Sequence, residues 1–165
     1  SLLLNSGADK VAINSAALES PDLISKLAKK FGSQCIVVSI DFKKSKNEEY
    51  KVFGKSGSIE YSYTPLDWAL KAESLGAGEI LLTSIDHDGR RNGLESTISK
   101  IICDSLSIPV ILSGGCGRAN HFTDGFLKSG ADAVAAGTFF CFQDQNPMQT
   151  RGHIRNAGID IRTQT

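Results

Sequence analysis

The chain has 165 residues, 41% of them hydrophobic, which is enough for one domain with a real core. Its 18 basic and 18 acidic residues cancel and no Lys/Arg cluster dominates, so neither nucleic acid nor a membrane surface is expected as a partner. The four cysteines (Cys35, Cys103, Cys116 and Cys141) are widely spaced and no apolar run approaches a membrane span; the expectation is a cytoplasmic protein with reduced thiols, no metal site and no cofactor.

The chain opens on Ser1-Leu-Leu-Leu without an initiator Met and inside what reads as a helix end, so a fragment is expected. Residues 10–13 form the first apolar strand run. Ser20-Pro21-Asp22 is a cap signal with Pro at the first helical position, and Leu23, Ile24, Leu27, Ala28 and Phe31 supply an apolar stripe as far as Gly32. Residues 35–40 give the next strand, ending on Asp41. Residues 42–63 break the tight spacing. Lys43, Lys44, Lys46, Glu48 and Glu49 make a solvated turn, and Val52-Phe53 and Ile59-Glu-Tyr61 flank residues 54–58 as a small hairpin. That excursion is either a cover over an active site or an ordinary surface insertion. A helix then runs from Thr64-Pro65 to near Gly76, a strand over 80–85, a helix over 95–105 and a strand over 109–112. The last units are a helix over 118–128, a strand over 133–136 and a helix from Asn146-Pro147 to near Gly158. Strict alternation predicts an α/β fold with a parallel sheet.

Two internal echoes bear on the architecture. Ser129-Gly-Ala-Asp-Ala-Val-Ala-Ala-Gly-Thr138 repeats Ser6-Gly-Ala-Asp-Lys-Val-Ala-Ile-Asn-Ser15, so that Gly137 and Thr138 fall opposite Asn14 and Ser15. Gly130 suits the left-handed position that closes a helix, and Asp132 can bond local backbone groups. Ile36-Val-Val-Ser-Ile-Asp41 resembles Leu81-Leu-Thr-Ser-Ile-Asp86, each strand ending in a carboxylate. Repeated strand–loop units are expected in a (β/α)8 TIM barrel, with chemistry at the C-terminal strand ends and phosphate on the last loops. An open doubly wound sheet competes, but it would show a glycine fingerprint near a first strand. None is present.

Ser113-Gly-Gly-Cys-Gly117 follows a buried strand and precedes a helix, where glycines let backbone N–H groups converge on an anion. Together with Ala136-Gly137 it matches the adjacent phosphate loops of many barrels, which makes Gly114, Gly115, Ala136 and Gly137 candidate phosphate ligands. Asn14 and Ser15 offer amide and hydroxyl donors for a second phosphate, and two such points suit a long bis-phosphate substrate. Asp41 is the candidate proton-shuttling carboxylate. Asp86 and Asp88 either position substrate or anchor the turn-rich loop Asp86-His-Asp-Gly-Arg-Arg-Asn-Gly93. His87 and His121 lack metal-ligand spacing and read as structural. Lys10 and Glu79 stand at strand starts, where inward-facing charges must be paired. The residues alone favour a plain salt bridge over a gate.

Gly7-Ala-Asp-Lys-Val-Ala-Ile-Asn-Ser15, Phe31-Gly-Ser-Gln34, Val37-Val-Ser-Ile-Asp41, Gly76-Ala-Gly-Glu-Ile-Leu-Leu-Thr-Ser-Ile-Asp86, Ile108-Pro-Val-Ile-Leu-Ser-Gly-Gly115 and residues 131–140 resemble the cyclase subunit of imidazole glycerol phosphate synthase. The resemblance covers essentially the whole chain. A complete barrel takes about 250 residues, so it implies one partial TIM-barrel domain over 1–165, its strands four to eight, with strands one to three absent. It also implies a cytoplasmic, ammonia-dependent cyclase (a lyase) of histidine biosynthesis. That enzyme takes ammonia from a glutaminase subunit and converts a phosphoribulosyl-formimino aminoimidazole carboxamide ribotide to imidazole glycerol phosphate and aminoimidazole carboxamide ribotide.

By the same resemblance Asp41 falls on one of two acid–base aspartates, the other belonging to the first strand. Asn14 and Ser15 fall on one phosphate site, and Gly114, Gly115, Ala136 and Gly137 on the other. Thr83, Asp86, Asp88 and Gly89 match residues lining the substrate, with Ser56 and Gly57 on the loop over it. Lys10 and Glu79 match two of four gate residues at the ammonia channel, which shifts the reading from bridge to gate. Some residues depart from the pattern. His87-Asp-Gly-Arg90 and Gly93-Leu-Glu95 stand where the family has Arg-Asp-Gly-Thr and Gly-Tyr-Asp, Gly137 stands where it has Ser, and the tail from Phe142 to Arg151 differs. These features resemble a paralogous branch serving amidotransferases of surface-sugar modification. The alternatives are therefore an ammonia-conducting barrel partner without cyclase chemistry, or an inactive phosphate-binding barrel fragment.

Overall fold

A computed structural model describes residues 2–142 and 144–162; Gln143, within the tail noted above, lies outside them. The chain begins with α1 (Leu2–Asn5), β1 (Val11–Ile13), α2 (Ser15–Glu19), α3 (Asp22–Phe31) and a 3-10 turn (Ser33–Cys35). It continues through β2 (Ile36–Lys44), β3 (Tyr50–Gly54), β4 (Ile59–Glu60), α4 (Pro65–Ser74), β5 (Glu79–Ser84) and α5 (Thr97–Ser105). The last elements are β6 (Val110–Ser113), α6 (Ala119–Leu127), β7 (Ala133–Val134), α7 (Thr138–Phe142) and α8 (Pro147–Asn156).

Several ends follow from local chemistry. Thr64 accepts from the Asp67 N–H at 3.1 Å, with Pro65 at the first position of α4. Asn146 and Gln149 close a capping box on α8. α3 is a partial correction. Pro21 lies just outside the helix and makes no side-chain cap, so Ser20 does not serve as the expected one.

β1, β2, β5, β6 and β7 are parallel and lie side by side in chain order. Every crossover therefore steps the same way along the sheet. A doubly wound sheet reverses direction at a switch point and a barrel does not; the fold is α/β with a parallel sheet wound in one sense, consistent with a TIM barrel. β2 is the hub. Residues 36–38 pair with β1, and residues 41–44 pair with antiparallel β3 on the way to β4.

Side chains alternate across the pleat. Ile36, Val38, Ile40 and Phe42 of β2 join Ile80, Leu82, Val110 and Leu112 against the helices, where Ile24, Trp68 and Ile102 are wholly buried. Each such burial contributes about 1.5–3 kcal/mol. The opposite face is graded in polarity. Asp41, Thr83 and Ser113 share one rung, Ser39, Leu81 and Ile111 the next, and Val37 lies beside Glu79 at the far end. A second cluster of Cys116, Phe122, Phe139 and Ile154 seats α7 and α8 on α6, with the Phe122 and Phe139 rings 5.0 Å apart.

The structure corrects several expectations. β2 runs four residues past Ile40, because residues 41–44 find a partner in β3. β7 is only Ala133–Val134, although the Ala135 N–H still donates to the Leu112 carbonyl. Two short helices, α2 and α7, follow directly on strand exits. α5 starts at Thr97 and leaves Glu95 outside it. Asp132 does not bond local backbone; it accepts from the Val110 N–H at 2.9 Å and so tethers the start of β6. No helix among the described residues is long and apolar enough to cross a membrane.

Candidate active site

Asp41, Ser56, Gly57, Thr83, Ile85 and Asp88 line an open cleft of about 270 Å³ at the C-terminal end of the parallel strands. Register brings Asp41 and Thr83 together. Ser56 and Gly57 arrive from the β3–β4 hairpin, whose tip folds over because Lys55, Ser56 and Gly57 take successive φ values of 50°, 57° and 77°. Three consecutive left-handed residues make a tight, costly turn. The hairpin is thus a cover over the cleft. Asp41 is half-buried, and burial is the main cause raising its carboxyl above the ordinary range. The nearby Asp88 charge adds to the rise, while a 3.4 Å hydrogen bond from the Ser39 hydroxyl opposes it.

A smaller, tight recess adjoins, lined by Asp88, Gly89, Gly114, Gly115, Cys116, Ala136, Gly137 and Thr138. Glycine is forced at two of these positions. Gly114 and Gly115 have φ of 89° and 112°, and a Cβ would strike the Ser84 carbonyl in one case and the Gly93 carbonyl in the other. The Gly93 N–H also donates to the Gly115 carbonyl at 2.9 Å, which fastens the β5–α5 loop to the β6–α6 loop. Gly137 differs, since a Cβ there would meet nothing within 4 Å. Burial pushes the Cys116 thiol up to about 12, so the cavity wall carries no thiolate charge. All four cysteines are free.

Not every expected site residue points into these cavities. The Asn14 amide donates to the Ser39 carbonyl at 3.1 Å and the Phe53 carbonyl at 3.4 Å. The Ser15 hydroxyl donates to Asn14 Oδ1 at 3.0 Å and accepts the Lys55 N–H at 2.8 Å. Both side chains therefore tie the exit of β1 to β2 and the hairpin. Asp86 accepts the Lys44 N–H at 2.9 Å and acts as a loop anchor, whereas Asp88 lines both cavities. Lys10 and Glu79 form an ion pair at the opposite end of the strands, 45% and 18% exposed.

Three contributors, Ser39, Glu95 and Tyr50, are not among the site residues expected from the sequence. Ser39 sits two residues before Asp41 on the same strand face, a period-two signal that was available. Glu95 caps α5 from outside, and Tyr50 donates to it. His121, expected from the sequence to be structural, accepts the Gly117 N–H at 3.1 Å and supports the glycine loop from behind. Among the described residues no group of three or more His, Cys, Asp or Glu side chains is placed to hold a metal ion.

A family model described as "Histidine biosynthesis protein" matches residues 1–146. Over 160 residues the chain is 49% identical to a putative imidazole glycerol phosphate synthase subunit hisF2 of Prochlorococcus marinus (strain MIT 9313), covering 97% of this chain and 61% of the relative. It is 43% identical over 161 residues to the imidazole glycerol phosphate synthase subunit HisF of Clostridium botulinum (strain Okra / Type B1), covering 97% and 64%. With the HisF subunit of Prosthecochloris aestuarii (strain DSM 271 / SK 413) it shares 47% over 156 residues, covering 94% and 62%. The chain thus spans between 61% and 64% of the length of these relatives.

Proposed function

The chain belongs to the histidine biosynthesis protein family, and on that premise we propose that it performs the cyclase reaction of imidazole glycerol phosphate synthase. The five parallel strands are read as strands four to eight of a (β/α)8 barrel, with residues 1–165 as one domain. The observation that carries the reading is Asp41. Its carboxyl is raised by burial, stands on the polar rung of a parallel strand beneath a hairpin tip, and adjoins a glycine-walled cavity. A carboxyl held above its usual range keeps its proton to higher pH and suits general acid–base work. Asp41 would take up and return protons as the nitrogen of ammonia enters the imidazole ring and aminoimidazole carboxamide ribotide leaves.

The substrate would be a bis-phosphate. One phosphate would lie against the backbone of Gly114, Gly115, Ala136 and Gly137. The other would lie at the exit of β1, where the Asn14 and Ser15 side chains are already engaged and shape the site, leaving main-chain amides as donors. Thr83, Asp88, Gly89, Ser56 and Gly57 would line the middle of the substrate, with Asp86 holding the loop that carries two of them. Ammonia would come from a cytoplasmic glutaminase partner docked at the far mouth, past Lys10 and Glu79.

The test supplies the native, full-length polypeptide with the ribotide and an ammonium salt and measures imidazole glycerol phosphate. Turnover is expected, and Asp41→Asn should abolish it while substrate still binds. Absence of turnover at any ammonium concentration sinks the cyclase reading. One observation favours a second reading, an ammonia-conducting partner of a sugar amidotransferase. Gly137 offers no hydroxyl although a side chain would fit there, so its absence is not dictated by packing. The same assay decides between the two.

A further inference from the structure

The loop that carries Asp88 and Gly89 is fastened at both ends to one rung of the β2–β3 ladder. Lys44 and Tyr50 are cross-strand partners at its outer end. Where the loop begins, Asp86 Oδ2 accepts the Lys44 backbone N–H at 2.9 Å. Where it ends, Glu95 Oε1 accepts the Tyr50 hydroxyl at 3.2 Å and the Thr97 N–H at 3.0 Å. Its other oxygen takes the Ile98 and Ser99 N–H groups at 3.0 and 3.3 Å. Glu95 is only 8% exposed and replaces Ser96, which makes no side-chain cap on α5. Tyr50 packs edge-on against Phe42, with ring centroids 5.7 Å apart. Burial first, and the Glu95 charge second, raise the Tyr50 phenol, so it remains a neutral donor.

We infer that Tyr50 and Glu95 form a latch that positions the 86–95 loop against the substrate. They are positioning residues for binding and do not act on the chemistry at Asp41. Asp41 is held by its own ladder, opposite Thr83 on one side and Phe53 on the other, and that ladder does not depend on the latch. The loop has no regular structure and takes positive φ at Gly89, Arg91 and Gly93. A further long-range backbone tie is the Gly93 N–H to the Gly115 carbonyl. A Glu in the Gly93-Leu-Glu95 string has the reach to meet Tyr50 while still capping α5.

The inference rests on the cyclase reading for the identity of what is positioned, and its test separates the two. Tyr50→Phe keeps the ring packed on Phe42 and removes only the donor. In the native polypeptide with its glutaminase partner, amide exchange in residues 86–95 should quicken about fivefold or more, while residues 36–42 stay unchanged. KM for the ribotide should rise about tenfold, the lower end for one hydrogen bond to a charged acceptor, with kcat held within about twofold. Tyr50→Phe should add little in a Glu95→Ala background, where the acceptor is already gone, because the two act as one unit. Unchanged exchange in 86–95, or a fall in kcat at constant KM, overturns the latch. A wild-type protein without turnover sinks the cyclase reading instead, and the exchange experiment then decides the latch by itself.

Discussion

At Asp41 the feature that suits the carboxyl to the proposed proton transfer also costs stability. Burial raises the folded-state carboxyl above its ordinary 3.8, against a smaller opposing hydrogen bond from Ser39. Below the unfolded value both states hold the proton, and the stability linked to this group is fully present. As pH rises the unfolded chain ionises first, so stability is lost until the folded carboxyl has ionised as well. Asp41→Asn never ionises and can still accept from Ser39 through its amide oxygen. Urea unfolding across pH should therefore show the variant more stable than wild type at neutral pH, with the two curves converging near about pH 3. A variant that is less stable at neutral pH would show that Asp41 is held by a contact not accounted for. The glycines carry a parallel lesson. Gly115 is imposed by the Gly93 backbone pressed against it, whereas Gly137 has open space, so only the second is free to vary with the ligand.

The two copies of the strand-exit device share a skeleton and differ in use. In each, a left-handed glycine (Gly7 at 98°, Gly130 at 71°) precedes a short strand whose exit runs into a five-residue helix. In the first copy the Ser15 hydroxyl holds the Lys55 N–H and so fixes the root of the hairpin tip. Ser15→Ala should lower stability by about 0.5–1.5 kcal/mol and speed amide exchange at residues 55–58. A tip that stays as protected as before would remove Ser15 from that role. The same contrast explains what the sequence could disclose. The parallel strands, α4 and α8 announce themselves through local signals, namely apolar runs, Thr64-Pro65, and Asn146 with Gln149. The extension of β2 to Lys44 depends on a hairpin partner, a tertiary pairing that no local pattern encodes. Asn14 and Ser15 read as open donors because, apart from their bond to each other, their partners lie 25 or more residues away, and the remote Lys44 N–H is what decides that Asp86 anchors its loop. Glu95 reads as helical because a carboxylate that caps from position 95 and one that begins a helix differ by only two residues of register from Thr97, where α5 starts.

Across the whole molecule, the face opposite the helices runs from the Lys10–Glu79 pair, past Val37, Leu81 and Ile111, to the rung of Asp41, Thr83 and Ser113. On the proposed cyclase reading, such a gradient would admit uncharged ammonia more readily than ammonium, since an apolar band penalises an unpaired charge far more than a small neutral molecule. Lys10 precedes β1 and Glu79 opens β5, so their ion pair bridges across β2 at the end away from the cleft. An ion pair this exposed on the lysine side contributes at most about 1 kcal/mol to stability. A purely structural role thus predicts little beyond that small loss when it is broken. A gating role predicts something different. Glu79→Gln should change urea stability by less than about 1 kcal/mol, yet shift the ratio of glutamine-driven to ammonium-driven turnover by about tenfold, a coupling of ordinary allosteric size. Because added ammonium salt reaches the cleft without the partner, its turnover serves as the internal control for an intact active site. If both turnovers change in parallel, or neither does, Lys10 and Glu79 are a bridge and nothing more.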